Sequence, residues 1–229
     1  NRGTGSNMGY ADALEVFSIY GQSKSGVRQS QELSRALIRF PIDRITVARS
    51  TGVIPASGSV SFYLRMFNAE TPFTLPQNFN LILTPVSRSW SEGTGLDMNE
   101  YKDSGAANWL KSDTTTNWTS IGGDYRTGSN YTVSFPRGYE DIDLNITGLV
   151  EKWLLGTDPA YSNNYGIGIR LPLTQEAYYS SSTAQDTGSL INNLVGATQS
   201  YYTKKFFARS TEFFFRRPLI EARWDSRVS

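Results

Sequence analysis

Short apolar runs rich in Val, Ile, Phe and Tyr alternate along the chain with clusters of Gly, Pro, Asn and Ser. In two of these runs every second residue is apolar, which is the period of a half-buried strand. The inward residues would be Ala36, Ile38, Phe40 and Ile42 in the first run, and Val60, Phe62, Leu64 and Met66 in the second. Further runs of strand-like composition span residues 14–20, 80–86, 131–135, 165–171, 206–208, 212–215 and 219–224. Such short strands predict an all-β protein, either an antiparallel sandwich or a closed barrel.

The segment NITGLVEKWLLG follows a different period. Its apolar residues recur at helical spacing, and they are Ile146, Leu149, Val150, Trp153 and Leu154. We predict one short helix over residues 147–155, capped at its N-terminus by Thr147 and ended by Gly156 in the left-handed conformation. The apolar stripe of this helix, with Trp153 in it, should cover one end of the sandwich.

The length of the chain suits one large all-β unit. With 229 residues it can bury a sizeable core. A division near Gly128 would leave each half with too few strands, so we predict a single domain over residues 1–229. Residues 90–130 and 175–200 are rich in Gly, Ser, Thr and Asn and form long irregular segments in this interpretation. Loops of that length in a compact domain are commonly functional.

Charge and missing residue types exclude several classes of function. Lys and Arg total 22 against 21 Asp and Glu, so no broad basic surface is available for nucleic acid. No stretch approaches the roughly 18 apolar residues of a membrane helix. The sequence contains neither Cys nor His, which excludes a Cys nucleophile and removes the usual general base and the commonest zinc ligand. These absences favour a protein that is not an enzyme.

Carboxylate pairs are the remaining candidates for catalysis or for a metal. The pairs are Glu92 with Asp97, Glu100 with Asp103, and Glu140 with Asp141. All three pairs lie in Gly- and Ser-rich solvated segments, whereas a glycosidase needs one carboxyl in a burying pocket that raises its pKa. Asp141 and Asp143 could offer oxygens to calcium, but they lack the Gly and the bidentate Glu of a calcium loop, and a solvated strand edge is favoured. We predict no catalytic residue, no metal and no cofactor.

Aromatic side chains in the first long loop are candidates for contact with a glycan. They lie in a polar context without apolar periodicity, and with a neighbouring arginine they are Tyr101, Trp109, Trp118, Tyr125 and Arg126. The alternative is that these rings anchor the loop to the sandwich. Trp90, with Glu92 beside it, could also meet a sugar. For Trp90, which follows a strand directly, a place at the end of the core is favoured.

The C-terminal segment TEFFFRRPLIEARWD predicts a subunit contact. In an extended strand Phe213 and Phe215 would point to one face and Phe214 to the other, so both faces need cover from water. The cover could come from residues 175–200 or from a second subunit. Arginine is favoured at interfaces, and the residues that we expect at the contact are Phe207, Phe214, Arg216 and Arg217.

The order of several segments resembles a known family. These segments are GSNMGYADALEVF, SRALIRFPIDRI, VSFYLRMFNAE, SWSEGTG, GAANW, W-x-x-x-GGDY, DLNITGLVEKWLLG, YGIGIRL and FFARSTEFFFRRPLIEARW. Together they resemble the disaggregatase-related domains, which are grouped with carbohydrate-binding modules, over about residues 4–225. The resemblance implies a jelly-roll β-sandwich. The family's first strand, which precedes the GSNMG turn, is absent from this sequence, and we expect an upstream segment or another chain to supply it.

A second resemblance concerns the setting. The ending KKFFARSTEFFFRRPLIEARWDS and the opening GTGSNMGYADALEVFSIYGQ are similar to structural proteins of tailed bacteriophages. This implies a non-enzymatic virion component, such as an accessory capsid, neck or tail protein, which works as an oligomer. Its partners would be other virion proteins, copies of itself and host surface polysaccharide, with no nucleic acid and no membrane. The alternative is a carbohydrate-binding module of a secreted or cell-surface protein.

Overall fold

A computed structural model of the protein describes residues 5–20, 31–72, 74–96, 106–178, 193–197 and 201–226. The chain is all-β in these residues, which confirms the predicted fold class. The strands are β1 (Ala13–Tyr20), β2 (Gln31–Leu33), β3 (Ala36–Ile38), β4 (Ser61–Met66), β5 (Phe79–Pro85), β6 (Tyr131–Phe135), β7 (Ile142–Asn145), β8 (Ile167–Arg170), β9 (Tyr201–Phe207) and β10 (Leu219–Arg223). The described residues also form two short helices, α1 (Asp43–Ser50) and α2 (Thr147–Leu155), and one 3₁₀ turn (Phe214–Arg216).

The strands form three antiparallel sheets. Their orders are β2-β1-β9, β10-β4-β7 and β3-β8-β5-β6. A single bridge from Asn68, just beyond β4, to Phe206 of β9 links the first two sheets. The main core takes buried residues from all three sheets and from α2. The jelly-roll connectivity, the single-domain organisation and the supply of a further N-terminal strand stay predictions.

Strand β4 shows how the alternation in sequence becomes a layer. Phe62, Leu64 and Met66 are fully buried, whereas the residues between them are partly exposed. Val60, directly before the strand, is buried as well. The predicted inward set of this run is therefore confirmed. The residues between, Ser61, Tyr63 and Arg65, form the outer face of the β10-β4-β7 sheet.

The alternation of Ala36, Ile38, Phe40 and Ile42 predicts one strand, and this prediction is wrong beyond residue 38. Strand β3 ends at Ile38, and α1 begins at Asp43, so the protein has a second helix that the periodicity does not predict. Helix α1 has no buried residue and no apolar stripe, and such a stripe is the pattern that signals a helix in sequence. Arg49 in its last turn pairs with Glu151 of α2 at 2.7 Å and fixes α1 to the molecule.

Helix α2 has the predicted bounds and buries Leu149, Val150 and Trp153. Gly156 ends it in the left-handed conformation, with φ of 61°. The prediction that Thr147 caps the helix is wrong. Its hydroxyl instead accepts the Phe62 N–H at 2.8 Å and donates to Asn145 Oδ1 at 2.7 Å. Thr147 therefore ties the helix to the neighbouring strands β4 and β7.

The segment 212–215 is not the predicted strand. The chain crosses here from β9 in one sheet to β10 in another, and it does so through the 3₁₀ turn. Arg217, just after the turn, donates from Nε and Nη2 to the Thr211 carbonyl at 3.2 and 3.0 Å. A change of sheet requires a bend, and this requirement overrides the strand preference of a Phe run.

Candidate functional site

Three consecutive phenylalanines lie exposed on the 3₁₀ turn and beside it. The exposed fractions of Phe213, Phe214 and Phe215 are 54%, 67% and 88%. A 3₁₀ helix has three residues per turn, so successive side chains project in different directions. One packing surface of the same molecule therefore cannot cover all three rings. We call these three residues the aromatic surface. Exposed apolar patches on soluble proteins commonly mark interaction sites.

The aromatic surface is held by specific contacts. Phe213 packs edge-on against Phe207, with ring centroids 5.5 Å apart, and Phe214 packs edge-on against Phe215 at the same separation. The Arg217 guanidinium lies 5.3 Å from the centroid of Phe214. These contacts position the rings although water surrounds them.

The predicted subunit-contact residues therefore lie near one another. Phe207 contacts Phe213, and Arg217 contacts Phe214, the next residue along the chain. Arg216 belongs to the same turn, is exposed, and lies 5.8 Å from the ring of Phe67. The expected face, though, arises from a turn rather than from a two-sided strand. Whether a subunit binds there stays a prediction.

A shallow groove lies where β4 begins and β10 ends. Its volume is about 550 Å³, and its lining residues are Gly58, Ser59, Val60, Ser61, Tyr63, Arg223, Trp224 and Asp225. Trp224 is 42% exposed, so an indole is available to a ligand. The guanidinium of Arg223 lies 3.9 Å from the centroid of the Tyr63 ring. No local pattern predicts this groove, because Trp224 has the sequence context of a strand end.

Charged side chains hold the groove arginine in place. Arg223 Nη2 donates to Glu221 at 2.8 Å and to both oxygens of Asp143 at 3.0 Å. Glu221 also accepts from Arg65 at 3.1 Å. Hydrogen bonds to Glu221 and then Asp143 raise the pKa of Arg223, and bonds from Arg223 and then Arg65 lower the pKa of Glu221. The arginine therefore stays charged and fixed.

Trp118, a predicted glycan-contact residue, is buried. It packs in a second small core with Val86, Trp90 and Ala107, and its indole N–H donates to the Asn108 carbonyl at 2.8 Å. Trp90 is buried in the same cluster and donates to the Tyr165 carbonyl at 2.7 Å. The placement expected for Trp90 is confirmed. For Trp118 the geometry is that of a loop anchor.

Tyr125 and Trp109 also pack inward. The ring of Tyr125 lies so close to Gly168 of β8 that a Cβ there would collide with it, and its hydroxyl donates to the Gly122 carbonyl at 2.8 Å. Burial raises the pKa of Tyr125. The ring of Trp109 lies against Gly122 on one side, and the Arg35 guanidinium is 5.0 Å from its centroid.

The last two glycan candidates are Arg126 and Tyr101. Arg126 is 5.2 Å from the ring of Tyr161, and Tyr101 lies outside the described residues. Glycan contact by the loop stays a prediction. The described rings of the loop contact other loop residues, such as Asn108 and Gly122, and the neighbouring residues Gly168 and Arg35.

The carboxylates considered for catalysis have structural partners where the structure describes them. Glu92 pairs with Arg209 at 3.0 Å, and Glu140 accepts the N–H groups of Arg137 and Gly138. Slight desolvation opposes ionisation of Glu140, but the backbone hydrogen bonds and the charge of Lys204 outweigh it and lower its pKa. A general acid needs the opposite shift. Asp97, Glu100 and Asp103 lie outside the described residues.

Asp141 and Asp143 are exposed on and beside the edge strand β7, as predicted. Asp141 accepts the Asn68 N–H at 2.7 Å, and Asp143 pairs with Arg223. Within the described ranges, no three acidic side chains come together in a way that could hold a metal ion.

Lys204 of β9 is a buried charge. It shares the inward face of β9 with Phe206, and its Nζ donates to Asn68 Oδ1 at 2.7 Å and to the Gly138 carbonyl at 3.0 Å. The rings of Phe135 and Phe206 flank the ammonium at 4.8 and 5.0 Å. Burial lowers the pKa of Lys204 to about 8, although Glu140 and Asp141 oppose the shift. Strand alternation in the segment KKFF places Lys204 on the same face as Phe206, but a lysine is ordinarily expected to be exposed to solvent.

Comparisons with known proteins identify no relative of this chain. No protein-family model, no curated protein and no solved structure matches the chain significantly. The family and phage resemblances therefore rest on the sequence segments alone. Neither helix among the described residues has the length and apolar character needed to cross a bilayer.

Proposed function

We propose that this protein is a non-enzymatic structural subunit of a bacteriophage particle, such as an accessory capsid, neck or tail protein, and that it docks onto another particle protein through its aromatic surface. The observation that carries the proposal is the exposure of Phe213, Phe214 and Phe215 on an ordered turn. The phage setting comes from the sequence resemblance.

The energetics favour docking at these rings. Burying one phenylalanine side chain stabilises a complex by about 1.5–3 kcal/mol. Aromatic residues and arginines are also the side chains that dominate binding energies at interfaces. Arg216 and Arg217 flank the rings, and the guanidinium of Arg217 already stacks on Phe214. Three rings and two arginines in one short segment form the kind of centre around which an interface is built.

The partner should have an apolar pocket with an acidic rim. The pocket would receive the rings, and carboxylates at its edge would pair with Arg216 and Arg217. Two cavities of this chain are lined mainly by hydroxyl-bearing, amide and charged side chains, and neither suits three phenylalanine rings. The proposal therefore takes a different particle protein as the partner.

A non-catalytic role is consistent with the carboxylates. Glu140 accepts hydrogen bonds from a turn and has a lowered pKa, and Glu92 pairs with Arg209. Both groups act here as structural acceptors. This supports the proposal without excluding chemistry elsewhere in the chain.

The test begins with the genes that flank the one for this protein. Neighbouring portal, capsid or tail genes supply named candidate partners, and each product is co-expressed with this chain and examined by size-exclusion chromatography. We expect one of them to co-elute with the parent. Neighbouring genes for polysaccharide lyases or hydrolases, together with no co-elution, would overturn the proposal.

A second candidate function, saccharide binding, is favoured by the groove beside Trp224. An exposed indole can stack on a pyranose face, and Ser59, Ser61 and Asp225 line the same groove with groups that bond hydroxyls. Three carboxylates, Asp143, Glu221 and Asp225, lie on this face with two arginines, Arg65 and Arg223. This balance favours a neutral saccharide over a sulfated or phosphorylated one.

Saccharide binding is tested with a panel of neutral and acidic polysaccharides. We expect Trp224→Ala to abolish retention on a neutral one, while Tyr139→Ala, which removes an exposed ring far from the groove in sequence, leaves it unchanged. Equal retention of the parent and Trp224→Ala would remove the groove from consideration.

A further inference from the structure

We propose that two copies of this chain pair through β10, antiparallel and centred on Ala222, so that two β10-β4-β7 sheets join into one. Strand β10 lies at the edge of its sheet and pairs with β4 on one side. On its other side no strand pairs with it in the part of the chain that the structure describes. An exposed strand edge is a template for pairing with another chain.

The hydrogen bonds of β4 show which groups this edge offers. The Phe62 N–H bonds to the Thr147 hydroxyl, and the Phe62 carbonyl accepts from the Ile146 N–H. The backbone of Phe62 thus faces β7 and α2, and by strand alternation the backbones of its neighbours Ser61 and Tyr63 face β10.

The register between β4 and β10 shows which backbone groups of β10 face β4. Glu221 lies opposite Tyr63, and Arg223 lies opposite Ser61. Their backbone groups are therefore directed to β4. The N–H and carbonyl groups of Ile220 and Ala222 point the other way, to the open edge.

A two-fold axis through Ala222 satisfies these groups. Ala222 then lies opposite Ala222 of the second copy, and Ile220 lies opposite Trp224 of the second copy. In antiparallel pairs, residues whose backbones face each other exchange both hydrogen bonds. The inward side chains of Ile220 and Ala222, which pack on the core, would continue the apolar layer across the contact.

Charge selects this register. With Ala222 at the axis, Glu221 of each copy lies opposite Arg223 of the other, and opposite charges on directly paired residues stabilise a sheet. An axis through Glu221 would instead place Glu221 opposite itself, and like charges there are unfavourable. Pro218, which has no N–H to give, precedes the strand and limits pairing beyond it.

The contact is separate from the aromatic surface. It uses backbone groups of β10 and the side chains of Glu221 and Arg223, whereas docking onto a particle protein uses Phe213, Phe214 and Phe215. Self-pairing goes beyond the proposed function, and either can fail while the other holds.

The test exploits the two-fold symmetry of the charge pairs. Light scattering on the isolated protein should show a dimer for the parent. In Glu221→Arg, the new arginine of each copy lies opposite Arg223 of the other. In Arg223→Glu, the new glutamate of each copy lies opposite Glu221 of the other. Because like charges then face each other, each variant alone should be monomeric. An equimolar mixture restores both attractive pairs and should form a heterodimer. Circular dichroism confirms that each variant is folded.

Three outcomes would overturn the proposal: a parent that stays monomeric at its highest soluble concentration, single variants that remain dimeric, or a mixture of folded variants that stays monomeric. A backbone variant gives an independent measurement. Ala222→Pro removes an N–H that faces the open edge and should abolish the dimer, whereas Ala222→Val keeps that N–H and should retain it. Should Ala222→Pro fail to fold, the mixing experiment decides. Phe214→Ser with Phe215→Ser should leave this dimer intact.

Discussion

Arg35 and Glu176, 141 residues apart in sequence, form a buried ion pair in which Arg35 Nε and Nη2 donate to the two carboxylate oxygens at 3.0 and 2.8 Å. Arg35 also donates to the Gly122 carbonyl at 3.2 Å. One guanidinium thus joins the chain near β3, the loop before β6 and the segment after β8. The pair is therefore one of the contacts between the residues near β3 and the described parts of the two long irregular segments.

We expect Glu176→Gln to destabilise the fold by about 3–5 kcal/mol, because it leaves the buried charge of Arg35 without its partner. The double variant Arg35→Leu with Glu176→Leu removes both charges and should lose less stability than the single variant. Urea unfolding measures both free energies. A double variant that is less stable than Glu176→Gln would show that the charges are not coupled in this way.

Lys204 should make stability depend on pH above neutrality. Its pKa is lowered to about 8 in the folded protein and is about 10.4 in an unfolded chain. Between these values the unfolded state binds more protons, so the free energy of unfolding should rise with pH. The contribution reaches at most about 3 kcal/mol, because a tenfold change in a proton-binding constant corresponds to about 1.4 kcal/mol.

The measurement is the difference in free energy of unfolding between the parent and Lys204→Met from pH 7.5 to 10.5. It should move in favour of the parent as the pH rises. Parallel stability curves for the two proteins would mean that the ammonium is as well solvated in the folded chain as in the unfolded one.

Gly168 should tolerate no side chain while Tyr125 is present. A Cβ at this position would meet the Tyr125 ring, and overpacking of this kind costs about 1–3 kcal/mol. Gly168→Ala is therefore expected to lower the thermal midpoint. In the background Tyr125→Ala the same change should cost much less, and an equal cost in both backgrounds would contradict the packing seen here.

Replacing Trp118 by alanine should lower the free energy of unfolding far more than replacing Trp224 does. Trp118→Ala deletes a buried ring and should cost about 3–5 kcal/mol, whereas Trp224→Ala at the exposed rim of the groove should change stability by no more than about 0.5 kcal/mol. Denaturant unfolding of the two variants measures this contrast. A small loss for Trp118→Ala would return it to the candidates for glycan contact.

The sequence predicts an element well when its apolar residues recur at a clear period and helix- or strand-breaking residues flank it. Helix α2 and strand β6 have the predicted bounds because their apolar period is clear and Gly, Asn or Pro residues flank them. Helix α1 lacks an apolar stripe, and β2 has only three residues, so neither gives a periodic signal.

The candidate surfaces depend on tertiary structure, and the sequence predicts them only in part. The sequence predicts that three adjacent rings cannot share one face of a strand, but the 3₁₀ turn that exposes them arises from the passage between two sheets. Trp118 lies in a polar loop and Trp224 at the end of a strand-like run, and only the fold shows that Trp118 is buried and Trp224 is exposed. The pairing of Arg35 with Glu176 likewise has no local signal.

The aromatic surface should contribute to docking and not to folding. Because the rings of Phe214 and Phe215 are largely exposed, replacing both by serine should change the free energy of unfolding by less than about 1 kcal/mol. A control of similar exposure is Val47→Ser with Val53→Ser, which removes two exposed apolar side chains of α1 and the turn after it.

Docking through the aromatic surface is tested by comparing these variants in co-elution with the particle protein that the parent binds. We expect Phe214→Ser with Phe215→Ser to abolish co-elution, and Val47→Ser with Val53→Ser to co-elute as the parent does. Undiminished co-elution of the Phe214→Ser and Phe215→Ser protein would contradict the claim that the aromatic surface is the docking site.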